Sequence, residues 1–131
     1  MANHTLSTTA DIDASTAMYA QQITGLRYGE DIPAGHPVRV GAGRKIFKAK
    51  LGDKFDGIVP RSGLAGQAGT IYGGHTRFRA TDTDLDPEKL YTLTANYGEF
   101  ADTAVTNALA VFRPVGRHDL EIIRVGATAG A

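Results

Sequence analysis

The chain has no cysteine and no tryptophan, and only two methionines among its 131 residues. Without cysteine there can be no disulfide framework, no thiolate zinc site and no cysteine nucleophile. The compartment stays open, because a cysteine-free chain suits reducing and oxidising surroundings alike. Net charge is absent too: 14 Lys and Arg balance 14 Asp and Glu, which excludes a strongly basic nucleic-acid packer and an acidic disordered chain. Long hydrophobic runs are also missing. The longest, Ala108 to Phe112, is far short of the ~20 residues of a membrane-spanning helix, so no membrane partner is expected. The first twenty residues hold Asp11 and Asp13 but no Lys or Arg, and so lack the basic start of a secretory signal.

Glycine, by contrast, is plentiful at 16 residues, without the Gly-X-Y period of collagen, which marks a turn-rich chain. The length fits one core. Residues 1–22 are rich in Ala, Thr and Ser and offer only Leu6, Ile12, Met18 and Tyr19 as sizeable apolar groups. That is too little to bury, so this segment reads as a flexible N-terminal arm, with at most a marginal helix over Asp13 to Gln22. Residues 23–126 carry short alternating runs separated by turn residues, the pattern of an all-β fold: a small barrel or sandwich of short antiparallel strands with one or two short helical turns. Residues 127–131 read as a flexible tail.

Within that domain, Pro33 and Gly35 stand at the second and fourth positions of a type I turn. Val38 and Val40 alternate with Arg39, and the glycines at 41 and 43 then break the strand as a hairpin turn would. Lys45 to Leu51 puts Phe47, Ala49 and Leu51 on one face and Ile46, Lys48 and Lys50 on the other. Further strands are expected over Phe55 to Val59, Thr70 to Tyr72, Thr76 to Ala80, Leu90 to Ala95, Ala108 to Phe112 and Leu120 to Val125. Asp86-Pro87 places an N-cap and an N1 proline ahead of one helical turn. Adjacent Ile122 and Ile123 suggest a bulge or a strand buried on both sides.

No chemistry-bearing motif survives inspection. Asp82, Asp84 and Asp86 have the spacing of a calcium loop, but Pro87 and Leu93 occupy the positions where an EF-hand loop needs Gly and Glu. A solvated acidic turn is the better account. Histidines 4, 36, 75 and 118 never reach metal-pair spacing. Ser62, His75 and Asp102 can be assembled into a triad on paper, without the elbow that would hold the serine. Gly41 to Lys45 lacks the phosphate-loop consensus, and Gly63, Gly66 and Gly69 lack that of a dinucleotide loop. No enzyme and no cofactor are therefore expected.

Charge is unevenly distributed. Pro37 to Arg61 holds seven basic and two acidic residues, whereas Asp82 to Asp102 holds one basic and six acidic. One consequence is a heterologous contact between copies, with Arg39, Lys48 and Lys50 of one facing Asp84, Asp86 and Glu99 of the next. The two segments could equally pair within one barrel. A binding module for glycan or single-stranded nucleic acid, using a face bearing Arg39, Lys48 and Lys50, is the alternative reading; aromatic content of 8% without tryptophan is thin for stacking platforms.

The series Pro33-Ala34-Gly35, Val38-Arg39-Val40, the Gly52 to Ile58 segment GDKFDGI, the Ala65 to Gly69 turn AGQAG and the Leu90 to Leu93 strand LYTL, taken in order, resembles the head decoration proteins of tailed bacteriophages. These are the small-β-barrel capsid-cementing group, and the likeness covers roughly Ile23 to Val125. The resemblance implies a homotrimer at three-fold or quasi-three-fold positions of a capsid, on the exterior of a virion, after synthesis in the host cytoplasm. Its partner would be the major capsid protein, with no nucleic acid involved. The arm would order on the shell by strand addition, for which Leu6, Ser7, Thr8 and Thr9 are β-compatible, with Ile12, Met18 and Tyr19 as further contacts.

Overall fold

Short alternating runs become short strands. The computed structural model of this chain describes residues 3–7 and 21–128. Its strands are β1 (Asn3–Thr5), β2 (Gln22–Tyr28), β3 (Pro37–Gly41), β4 (Lys45–Lys48), β5 (Lys54–Phe55), β6 (Gly57–Ile58), β7 (Ala68–Tyr72), β8 (Arg77–Arg79), β9 (Leu90–Leu93), β10 (Glu99–Thr103), β11 (Phe112–Pro114), β12 (Asp119–Ile122) and β13 (Ala127–Thr128). They form a closed five-strand barrel in the order β2-β4-β3-β6-β7, a six-stranded half-barrel in the order β1-β10-β9-β11-β12-β8, and a β13-β5 ribbon. The fold is the expected all-β small barrel.

One pairing departs from the antiparallel expectation, because β2 runs parallel to β4. The long connection from Gly29 to His36 carries the chain past β4's position, so that β3 pairs β4 in a hairpin and β4 returns alongside β2. That hairpin closes, as expected, over Ala42 to Arg44, with Gly43 at φ +73. The helical turn expected at Asp86 is instead a hydrogen-bonded turn. Asp86 Oδ1 accepts the Glu88 N–H at 2.9 Å and the Asp86 carbonyl accepts the Lys89 N–H at 3.3 Å, so the cap forms without the helix. At the Pro33 turn the glycine stands third rather than fourth: the His36 N–H reaches the Pro33 carbonyl and Gly35 has φ +78.

Two hydrophobic clusters fill the molecule. The closed barrel packs Leu26, Tyr28, Ile32, Val38, Ile46, Val59 and Ile71. The half-barrel packs Phe78, Tyr91, Phe100, Phe112, Leu120 and Ile122, joined by Phe55 and Ile58 from the β5–β6 segment. Phe112 is the hub, with ring centroids 5.2 Å from Phe55, 5.8 Å from Phe78 and 5.3 Å from Phe100, all edge-on. Rings prefer that geometry, and each fully buried phenylalanine stabilises the fold by about 1.5–3 kcal/mol. Phe55 and Ile58 tie the two bodies into one block.

Several expectations change in three dimensions. On β4, Ile46 is the fully buried residue and Phe47 lies on the outer face. Its ring sits over Gly29 and Gly41, where an added Cβ would come within 2.5 Å of it; two missing side chains create its seat. The Phe55 to Val59 run is interrupted at Asp56, whose buried carboxylate accepts the Val40 N–H at 2.8 Å and pairs with Lys54 at 3.2 Å. Ile122 is buried while Ile123 is 43% exposed, so the pair marks a strand end rather than a bulge. The tail is partly engaged, because Ala127 and Thr128 pair with Phe55 and Lys54.

The first part of the expected arm lies in the sheet instead; residues 8–20 of it are outside the described residues. Residues 3–7 belong to the half-barrel: Asn3, His4 and Thr5 pair with Ala101, Phe100 and Glu99. A short polar strand needs no core of its own when a sheet offers unpaired N–H and C=O groups.

Candidate functional site

The half-barrel curls until β10 approaches the end of β8, and the N-terminal segment fills the seam between them. On one side β1 pairs with β10; on the other, Leu6 bridges Thr81 and the Ser7 N–H donates to the Ala80 carbonyl at 2.8 Å. Both flanks of the segment are hydrogen-bonded. His4 is 8% and Ser7 5% exposed, the His4 ring meets Tyr91 edge-on at 5.6 Å, and Leu6 packs against the phenylalanine core.

Side chains of the Thr81 to Asp86 loop clasp this strand. Ser7 Oγ donates to Asp82 Oδ1 at 2.7 Å, and the Arg79 guanidinium donates to the same oxygen at 3.1 Å and to Ser7 Oγ at 3.3 Å. His4 Nδ1 is 2.6 Å from Thr83 Oγ1, which is itself 3.1 Å from Thr81 Oγ1. His118 Nδ1 donates to the Thr83 carbonyl at 3.1 Å. At the outer end the Arg117 guanidinium binds Asp84, holding that carboxyl below its ordinary range and raising the guanidinium's own pKa. The three aspartates that suggested a cation loop thus face three different partners: Ser7 with Arg79, Arg117, and the Asp86 turn's own N–H. Among the described residues no group of three or more His, Asp or Glu converges as metal ligands would.

Of the expected arm contacts, Leu6 and Ser7 therefore lie on the chain's own sheet, and Thr8, Thr9, Ile12, Met18 and Tyr19 lie outside the described residues. The members of the paper triad are also apart. Ser62 Oγ accepts the Ala34 N–H at 2.9 Å, His75 faces Glu121 at 3.7 Å, and Asp102 stands opposite Tyr91.

The basic trio does not share a face. Lys48 is the cross-strand partner of Val38, a fully buried barrel residue, whereas Arg39 is the partner of Phe47 on the outside. The Arg39 guanidinium lies 5.1 Å from the Phe47 ring centre, and Lys50 Nζ lies 5.3 Å from that of Tyr97. The Phe47 ring thus packs on Gly29 and Gly41 and has the Arg39 guanidinium over it. On the acidic side, Asp84 and Asp86 are held as described, and Glu99 accepts from Asn96 Nδ2 at 3.4 Å on the edge opposite Thr5.

The two bodies differ in charge. Residues 21–72, around the closed barrel, carry eight Lys and Arg against four Asp and Glu, and residues 73–128 carry six against eight. Among the described residues, Lys54 pairs with Asp56 in the first body, and Arg77 with Asp119, Arg79 with Asp82, Arg113 with Glu121 and Arg117 with Asp84 pair in the second. A cleft of about 470 Å³ on the barrel is lined by Gln22, Tyr28, Arg61, Gln67 and Tyr72 among others. The Tyr28 hydroxyl there donates to the Arg61 carbonyl at 2.5 Å, and burial raises its pKa.

His4, Arg79, Thr81, Thr83 and His118 were missed as site residues. Only the acidic loop hinted at them, because a clasp built across such long sequence separations has no local pattern. No protein-family model matches the chain, and no curated protein matches it significantly.

Proposed function

We propose that this protein is a structural, non-enzymatic module that decorates the outside of a tailed-phage head as a homotrimer at three-fold or quasi-three-fold positions, bound to the major capsid protein. The observation that carries the reading is the charge division between a basic closed barrel and an acidic half-barrel, the latter with Arg77 paired to Asp119 and Arg117 to Asp84 within itself. The barrel's excess of basic over acidic residues suits an acidic surface, which the half-barrel of a neighbouring copy supplies and which orients assembly. The motif series behind the resemblance falls on fold-making positions, namely the turns at Gly35 and Gly66, both at positive φ, and the buried β9 strand. It supports the reading at the level of fold, and the function follows by analogy.

Decoration would act by mass action. A ligand that binds only the assembled lattice lowers its free energy by RT ln(1 + [L]/Kd). The test mixes the purified protein with empty heads of the phage that encodes it and sediments them. Saturable co-sedimentation that weakens with salt, together with a light-scattering mass near three chains, is expected. A monomer that leaves the heads bare at low salt would overturn the reading.

A further inference from the structure

We propose that the seam between β10 and β8 is a strand-exchange site, and that in an assembly it is filled by residues 3–7 of a second copy of this chain. The occupant is fixed by what the seam already holds. Its walls fit an extended segment that pairs by main chain with Glu99 to Ala101, sets the Leu6 side chain against the core, and places a hydroxyl on Asp82 and an imidazole on Thr83. A second copy carries that segment by definition, so every contact is reproduced on exchange and the cost is low.

Chain connectivity does not force the strand back onto its own molecule. Ser7 is anchored at Ala80 and Gln21 at Gly74, the two ends of the β8 region. Six residue steps separate those anchors, at most about 20 Å of chain, whereas the fourteen steps from Ser7 to Gln21 reach about 45–50 Å. The strand is held by three register pairs, one bridge, two further main-chain hydrogen bonds, Leu6 on the core and the side-chain contacts of His4 and Ser7, all of which a second copy reproduces. Once vacated, the seam exposes the β10 edge, a template for strand addition.

The absence of cysteine makes the test clean. Thr5 and Glu99 are register partners, and directly opposed strand residues have Cα atoms about 4.5–5.5 Å apart, within disulfide range. Chains carrying Thr5→Cys and Glu99→Cys, each with a different tag, are co-expressed and oxidised. Thr5→Cys with Lys45→Cys, an exposed barrel position, is the collision control, and the double variant Thr5→Cys/Glu99→Cys on one chain checks the register. Exchange gives a mixed-tag disulfide dimer several-fold above the control, and covalent multimers of the double variant. A folded double variant that crosslinks only within its own chain, with mixed pairs at control level, overturns the proposal, as does a folded double variant with no crosslink. The experiment needs no capsid, so its failure is distinguishable from failure of the decoration reading.

Discussion

Ser7 Oγ lies 2.7 Å from Asp82 Oδ1, joining residues 75 apart in the chain. That contact places the N-terminal segment inside the sheet rather than beside it, and the same carboxylate oxygen also receives Arg79. The seam is therefore where the half-barrel closes.

Replacing Ser7 with alanine removes one donor from Asp82 but leaves Arg79 in place. The expected cost is about 1–2 kcal/mol in urea denaturation, together with faster amide exchange at Leu6 and Ser7. An unchanged midpoint with unchanged exchange would show that the clasp does not hold the strand.

Phe112 touches three other phenylalanine rings. Phe112→Ala should cost about 3–5 kcal/mol through lost burial and the cavity left behind, a large fraction of a small domain's stability. Thermal melting followed by near-ultraviolet circular dichroism reads this directly, and Phe112→Leu should recover a good part of the loss.

Two glycines at positive φ separate strain from packing. Gly25 has φ +77 with open space around it, whereas a Cβ on Gly57, at φ +141, would overlap the Tyr72 carbonyl. Gly25→Ala should cost about 1–2 kcal/mol from backbone conformation alone. Gly57→Ala should cost more, because the β6–β7 pairing must also shift. Equal midpoints for the two variants would contradict this.

His36 is 3% exposed, with Nδ1 donating to the Pro37 carbonyl at 2.8 Å. Burial, the largest effect, lowers its pKa below the ordinary 6.5. Between the lowered folded value and 6.5 the unfolded chain binds more protons, so stability rises with pH across that window. The contribution is complete above about pH 6.5, the unfolded value, and is lost as pH falls through the folded pKa. Unfolding free energies of wild type and His36→Gln, measured from pH 7.5 to 4.5, should differ in slope only on the acidic side. Parallel curves would assign the effect elsewhere.

The strand pattern was legible because alternation needs only a period of two. Phe78 and Ala80 turn inward while Arg77 and Arg79 stay outside, as their spacing demands. Alternation failed to choose the inner face of β4, where the larger Phe47 was outranked by Ile46; the seat that Gly29 and Gly41, outside the strand, leave for the Phe47 ring is a tertiary feature. It also failed for β1, since Asn3-His4-Thr5 carries no hydrophobic signal and is recruited through its backbone. The charge division was visible, but its faces were not: a register that pairs Lys48 with Val38 turns Lys48 away from Arg39.

The sequence by itself determined an all-β chain with glycine-marked turns, balanced charge and no cysteine chemistry, because those follow from local periodicity and composition. Tertiary structure alone decided that the strands divide between a closed barrel and a half-barrel, and that the leading residues close the second. Sheet closure depends on which unpaired edges meet in space, and a main-chain hydrogen bond leaves almost no trace in side-chain identity.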